Sequence, residues 1–293
     1  MPNGMILCTN SNLYQVKVEN EIYQCLARGK LKKEEMTPLV GDYVEITVTH
    51  PENYEGVIEK ILPRKNELKR PKMANLTTLL LVLSMKNPKP DLLLLDKQLA
   101  FASWIGIHSV ICFNKTDLEN PERIQQIAEI YQKIGYPVIK TSAKEGLQVE
   151  ELKPFLKNQI TAFAGNSGVG KSTLLNYLFQ KNLTQEGNVS KNQRGKNTTT
   201  SVTLYEYDQN SYIADTPGFS TFDISEIPKE ELDKHFIEFV PYIQNCRYGG
   251  CSHIKEEDCV VKQAVEQGKI AKERYQNYQK IYQELKESEE RKW

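Results

Sequence analysis

Long hydrophobic runs and an excess of one charge are what this sequence has little of. Its longest apolar stretch, TTLLLVLSM at residues 77–85, is too short to span a bilayer. The start, MPNGMILCTN, has no positively charged segment leading into an apolar run, so no secretory leader is expected. The C-terminal EERKW offers no cysteine to a lipid. A cytoplasmic chain with no membrane partner is the simplest expectation. Lys plus Arg and Asp plus Glu are both 38, so net charge favours neither a nucleic acid nor a membrane surface. Internal repeats and low-complexity tracts are also missing.

Of six cysteines, Cys8, Cys25 and Cys112 are scattered, while Cys246, Cys251 and Cys259 crowd together. In a reducing compartment such crowding suggests a metal site rather than a disulfide framework. The run CRYGGCSHIKEEDC reads C-x4-C-x-H-x5-C, with His253 as the fourth donor. Three thiolates and one imidazole close a tetrahedral zinc shell with no open position, which predicts a structural site. The bland alternative is three buried free thiols beside a chance histidine. His235 reads as packed or surface, and His50 and His108 belong to no constellation.

The 293 residues allow two or three domains. Residues 1–66 read as β: LYQVKVE and DYVEITV alternate apolar and polar residues, PLVGD supplies a turn, and EGVIEKIL adds a short strand. Several short strands favour a closed barrel, which removes exposed edges; a hairpin appendage is the alternative. Residues 67–222 alternate strand and helix. TTLLLVLS and HSVICFN read as strands covered on both faces. PERIQQIAEIYQKIG reads as a helix with Ile124, Ile127, Ile130, Tyr131 and Ile134 on one face. YPVIKTSA gives a strand and loop, GLQVEELKPFL a helix, ITAFAG a strand, KSTLLNYLF a helix and SYIADTPG a strand. This predicts a doubly wound α/β domain. Residues 223–293 are expected to be mainly helical around the cysteine cluster, with Ile270, Tyr275, Tyr278 and Tyr282 at near-helical spacing and a charged end prone to fray.

Two short motifs carry the chemistry. GNSGVGKS, residues 165–172, places G-x-x-x-x-G-K-S between a strand and a helix. Gly165, Asn166, Ser167, Gly168, Val169 and Gly170 can turn backbone N–H groups toward phosphates, helped by the positive end of the helix that contains Ser172 and Thr173. Lys171 is expected to reach the β and γ phosphates, and Ser172 to ligate Mg²⁺. FNKTDLEN contains Asn114, Lys115, Thr116 and Asp117, the N-K-x-D pattern. A carboxylate at 117 accepts two hydrogen bonds from guanine N1–H and its 2-amino group, whereas adenine leaves it unpaired, at a cost of about 1–3 kcal/mol or more. Asn114 can brace this loop, and the stem of Lys115 can lie over the purine. TSAK adds Ser142, Ala143 and Lys144, with the Ala143 N–H directed at guanine O6. Together the motifs point to GTP.

Asp215-Thr216-Pro217-Gly218 ends a strand, with Asp215 placed to hold Mg²⁺ through water and Gly218 to sense the γ-phosphate. The polar stretch EGNVSKNQRGKNTTTS reads as a switch whose Thr198, Thr199 or Thr200 closes on Mg²⁺, Thr199 being the candidate. The alternative for its middle is an inert loop. Phe219 stands where Ras-type enzymes carry a water-orienting glutamine. It packs the switch or leaves water unoriented, and slow intrinsic hydrolysis is expected until a partner reorganises the site.

The motif order is base reader, TSAK, phosphate loop, threonine run, then DTPG: a GTPase domain circularly permuted. With a barrel before it and the cysteine cluster after it, the chain resembles the circularly permuted, ribosome small-subunit-dependent GTPase A (RsgA) family. PLVGDYV, ILPRKNEL, GNSGVGKSTLLN and DTPGF are similar to family motifs. The resemblance implies a multi-domain α/β protein: an N-terminal OB-fold β-barrel (1–66), a permuted P-loop GTPase domain (67–222) and a zinc-binding helical domain (223–293). It implies binding to the small ribosomal subunit and its rRNA late in maturation, by a chain that binds GTP or GDP with Mg²⁺; a monomer is expected. Asn197 departs from the histidine that precedes the family's threonine run, which leaves the route of water activation open.

Candidate RNA-facing residues are the cations Arg64, Lys65, Lys69, Arg70 and Lys72, the switch cations Lys191, Arg194 and Lys196, and in the tail Lys272, Arg274 and the stacking aromatic Tyr275. A solvated face is the bland reading of each. The rival to a GTP hydrolase timing its release from the subunit is a GTP-regulated RNA- or protein-binding module with incidental hydrolysis.

Overall fold

The structure, a computed structural model, describes residues 1–29, 31, 36–183, 202–215 and 224–291. It contains two compact units, residues 1–80, 149–164 and 172–219 in one and residues 81–148, 165–171 and 220–293 in the other.

In the first unit, β1 (Asn3–Asn10), β2 (Leu13–Val18), β3 (Glu21–Ala27), β4 (Tyr43–His50) and β5 (Glu55–Ile61) form a closed barrel. β1 pairs with both β2 and β4, β2 with β3, β3 in parallel with β5, and β4 with β5. Closure through β1–β4 leaves none of the five with an open edge within the ring. Ile6, Val16, Cys25, Val44, Ile46 and Ile58 fill its interior. Asp42 is fully buried because Arg64 grips it with two 2.7 Å bonds and the Leu39 N–H adds a third. Arg64 is therefore a structural cation rather than an RNA-facing one.

After the barrel comes a hairpin, β6 (Glu67–Lys69) and β7 (Lys72–Ala74). The unit's sheet continues through the start of β8 (Thr78–Ser84), then β11 (Ile160–Ala164), β13 (Ser211–Asp215), β12 (Thr203–Asp208) and β1. β11 and β13 are parallel; β12 runs antiparallel to β13. The segment GLQVEELKPFL is not one helix. It forms a 3₁₀ stretch, Val149–Leu152, then a single turn, Lys153–Leu156, with Pro154 inside that turn, where it can donate no hydrogen bond.

The second unit holds the end of β8, β9 (His108–Asn114) and β10 (Val138–Lys140), in the order β10-β9-β8. β9 and β10 are parallel, as expected of strands joined by a helical crossover. Helix α1 spans Leu92–Trp104 and α2 spans Pro121–Ile134. α2 starts at Asn120, whose side chain caps Glu122 N–H, and stops at Gly135. Only Ile124, Ala128 and Tyr131 of α2 are fully buried.

The remainder includes the 3₁₀ segments Ile224–Glu226 and Lys229–His235, the turn Val240–Ile243, and helices named here α4 (Val260–Glu266) and α5 (Lys272–Glu290); α3 is Lys171–Leu183. Phe236, Phe239 and Tyr278 form an aromatic core, with Phe239 and Tyr278 centroids 4.9 Å apart. Beside it, Arg274 is 1% exposed. Its guanidinium donates to Asp96 of α1 at 2.6 Å and to both oxygens of Glu238 at 2.7 and 2.9 Å, and stacks over Phe236. Asp96 is itself fully buried and also accepts from Asn277 and Tyr131. Arg274 is thus an internal cation, and a buried charge of this kind is tolerable only because every partner is present.

Candidate nucleotide site and metal centre

β9 is apolar and buried from Val110 to Phe113, and it carries Asn114 inward behind them. Asn114 is 1% exposed, and all its polar atoms are used. Its Nδ2 donates to the Val169 carbonyl at 2.9 Å; its Oδ1 accepts from Ala143 N–H at 3.0 Å and Thr141 Oγ1 at 3.1 Å. One side chain thus ties the base-reading loop, the TSAK loop and the phosphate loop together.

Lys115 follows in the left-handed region, φ +59°, which turns the chain into the 3₁₀ segment Thr116–Leu118. Its ammonium donates to the carbonyls of Gly168, at 2.7 Å, and Asn87. Thr116 is anchored on the Thr141 carbonyl through both N–H and Oγ1. Asp117 is left exposed, available to a base. Ser142 and Leu147 exchange backbone hydrogen bonds, closing the loop that presents Ala143 and Lys144. Ser142 Oγ is buried without a partner among the described residues. The Ala143 N–H, expected at guanine O6, donates here to Asn114.

The phosphate loop owes its path to two glycines. A Cβ at Gly165, φ +134°, would lie 2.1 Å from the Val82 carbonyl oxygen; one at Gly170, φ +102°, would lie 2.2 Å from Asn114 Nδ2. The first neighbour is backbone, and the second belongs to a buried side chain already committed to three hydrogen bonds. Ser167 and Gly168 are exposed, while Val169 is buried. Lys171 opens α3, and its Nζ donates to the carbonyls of Gly165 at 2.6 Å and Asn166 at 2.9 Å. Burial lowers its pKa, so an anion placed beside it is strongly favoured. Ser172 and Thr173 are exposed in the first turn of α3. β13 delivers Asp215 at its end. Thr198, Thr199, Thr200, Gly218, Phe219 and Asn197 lie outside the described residues.

Two residues here escaped the sequence reading: Asn87, whose carbonyl receives Lys115, and Asp91, which accepts from the Asn166 amide at 3.2 Å. The available signal was Asp91 as a helix N-cap before an apolar run.

The donor atoms of Cys246, Cys251, His253 and Cys259 all lie within 4.8 Å of one another. Cys246 Sγ is 4.0 Å from Cys259 Sγ and 3.7 Å from His253 Nδ1, and His253 Nδ1 is 3.3 Å from Cys259 Sγ. A tetrahedral ion with bonds of about 2.0–2.3 Å sets its donors roughly 3.5–3.8 Å apart, so the cluster fits one metal ion. His253 Nε2 faces Asp233 Oδ2 at 3.2 Å, the outer partner that fixes a ligand imidazole. Burial raises the Cys251 and Cys259 thiols, so their thiolates need a cation. Tyr278 and Tyr275 donate to the carbonyls of Ser252 and His253. Tyr275 therefore braces the metal loop.

The RsgA GTPase family profile matches residues 61–225, and the RsgA N-terminal domain profile residues 3–58. The chain belongs to the RsgA GTPase family. The chain is 43% identical to the "Small ribosomal subunit biogenesis GTPase RsgA" of Alkaliphilus metalliredigens, over 98% of this chain and 99% of the relative. It is 42% identical to the protein of that name in Caldanaerobacter subterraneus subsp. tengcongensis, over 99% and 98%. Among solved structures it is similar to YjeQ from Thermotoga maritima, TM-score 0.85 and 38% identity over 97% of this chain and 98% of that one. It is similar also to YloQ, described as a circularly permuted GTPase, TM-score 0.83 and 35% identity over 98% and 96%. Motif order and fold agree: the chain is a circularly permuted GTP hydrolase with an OB-like barrel.

Proposed function

We propose that this GTPase serves small ribosomal subunit biogenesis: it binds the subunit and its rRNA while loaded with GTP and leaves when GTP is hydrolysed to GDP. The observation that carries the nucleotide half is Asn114, which holds the guanine loop and the phosphate loop as one pocket. The name shared by relatives 41–43% identical over nearly the whole chain supports the ribosomal half.

In this reading Asp117 selects guanine, Lys115 and Thr116 fix its loop, and Ser142, Ala143 and Lys144 close over the base, the Ala143 N–H being shared with Asn114. Gly165 to Gly170 and Thr173 present N–H groups to the phosphates, and Lys171 neutralises them. Ser172 and Thr199 would hold Mg²⁺, which supplies charge compensation between the β and γ phosphates. Asp215 and Gly218 would complete the sensing end. Cys246, Cys251, His253 and Cys259 would hold a structural zinc, since no ligand position is left for chemistry. In this reading the functional segments run over 1–66, 67–222 and 223–293. The exposed cations Lys65, Arg70 and Lys72, with Lys69, offer phosphate contacts at the β6–β7 hairpin. A cytoplasmic monomer fits this role, and no described helix is long and apolar enough to cross a membrane.

The test is the GTP hydrolysis rate with and without purified small ribosomal subunits. A large stimulation, abolished by Asp117→Ala, is expected. An unchanged rate favours the binding-module reading instead.

A further inference from the structure

Helix α1 carries none of the nucleotide motifs, yet it begins at the phosphate loop. Asp91 caps it, Oδ1 accepting from Leu94 N–H at 2.9 Å, while Oδ2 accepts from the Asn166 amide at 3.2 Å. The Asn166 side chain is thereby committed to the helix, so its backbone is what remains for a phosphate. Gln98 stands seven residues on, hence on the same face of the helix. It is 1% exposed, and its Nε2 has no partner among the described residues.

Gln98, Asp91, Ser84, Gly165 and Asn166 line one cavity with room for about one water. The other walls are mainly apolar (Val82, Leu83, Leu94, Leu95 and Val169), so the polar groups at this spot are what a water could bond. A buried amide donor without an acceptor is costly, and one water shared with those groups satisfies it. The helix cannot rotate away from this task, because Asp96, between the two residues, is locked to Arg274 and Asn277 of α5.

We infer that Gln98 holds an ordered water in this cavity, and that this water and Asp91 together position the phosphate loop for nucleotide. Asp91 and Gln98 are then positioning residues of the GTP site. Their contribution is to hold the loop arched before the nucleotide arrives, which lowers the cost of binding. The inference rests on residues 165–172 being the phosphate-binding element.

The experiment titrates GDP and a non-hydrolysable GTP analogue onto the full chain, as wild type and as Gln98→Met, Asp91→Asn, Asn166→Ala and the Asp91→Asn/Asn166→Ala pair. Gln98→Met keeps the volume and removes the donor. Asp91→Asn keeps one oxygen for the cap and gives up the second. Each single variant should bind about 3- to 10-fold more weakly with the nucleotide-free melting temperature little changed, and the pair no more weakly than its worse member. A high-resolution crystal structure should show a water on Gln98 Nε2.

Binding by Gln98→Met within twofold of wild type, in a protein at least as stable, overturns the role of Gln98. Additive losses in the Asp91–Asn166 cycle overturn that of Asp91. Should Gln98→Met not fold, the cycle and the crystallographic water decide, since both Asp91 and Asn166 tolerate exposure. A wild-type chain that binds no GDP would sink the reading of the site itself, and that arm contains no variant.

Discussion

Asn114 donates to the carbonyl of Val169, 55 residues further along the chain, across 2.9 Å. The bond explains why permutation leaves the site whole. Base reader and phosphate loop meet through a side chain in space, so the order in which the polypeptide reaches them does not enter. Cutting and rejoining the chain elsewhere breaks none of the three bonds Asn114 makes.

Removing that side chain strands its partners. In Asn114→Ala the Val169 carbonyl and the Ala143 N–H lose a buried partner, each worth about 1–3 kcal/mol when unmet. GDP affinity should fall roughly 10- to 100-fold by calorimetry, with a lower melting temperature. Near-wild-type affinity would show that the loops are held by something else.

Gly165 and Gly168 both have positive φ, +134° and +78°, but differ in surroundings. A methyl at Gly165 meets the Val82 backbone oxygen at 2.1 Å; at Gly168 the nearest atom is Pro88 Cδ at 3.8 Å. Urea unfolding should show Gly165→Ala costing about 3 kcal/mol or more, and Gly168→Ala about 1–2 kcal/mol from backbone strain alone. Equal losses would mean that contact with β8 is not the constraint.

Arg274→Met leaves Asp96 and Glu238 buried without their cation, so a loss of about 3–5 kcal/mol in stability is expected. Exposed Lys272→Met should stay within about 0.5 kcal/mol. If Arg274→Met instead kept full stability and lost only RNA affinity, the internal role would be wrong.

Elemental analysis should find one zinc per purified chain, and Cys259→Ser should abolish it. Asp233→Asn keeps all four ligands but weakens the orientation of His253, so zinc affinity should drop about 10- to 100-fold in a chelator competition. An unaffected affinity would remove Asp233 from the site.

Burial lowers the pKa of His235, with Glu231 and Asp233 opposing, while Nδ1 lies 3.1 Å from Ser103 Oγ. The folded state therefore prefers the neutral ring. Above the unfolded value of about 6.5 both states are neutral and nothing is lost. As pH falls below it, the unfolded chain takes up the proton first, and stability declines until the folded ring protonates too. His235→Phe should flatten the fall in melting temperature from pH 7 to pH 5. An identical slope in wild type and variant would count against it.

Strands with strict alternation or unbroken apolar character, such as β2, β4, β8 and β9, were legible because one physical signal sets each. Helix α1 was not. Its Asp96 and Gln98 are buried along with Leu95, Leu99 and Phe101, so no polar face marks its period. β1 escaped for a related reason: it buries Gly4 to Leu7 consecutively inside the unit, which hides the pleat. Arg64 and Arg274 misled because a cation in a sequence looks the same whether solvent or a carboxylate waits for it.

By itself the sequence determined the motifs, their permuted order and the four clustered metal donors, because each needs particular residue types at short, fixed spacing. Only the tertiary structure decided which charges are internal, and that Asn114 and Asp91 hold the phosphate loop. Those outcomes depend on contacts between residues far apart in the chain, such as Asp96 and Asn277, 181 positions from each other. Burial, which alone turns a solvated charge into a structural one, is a property of the assembled fold and of no stretch within it.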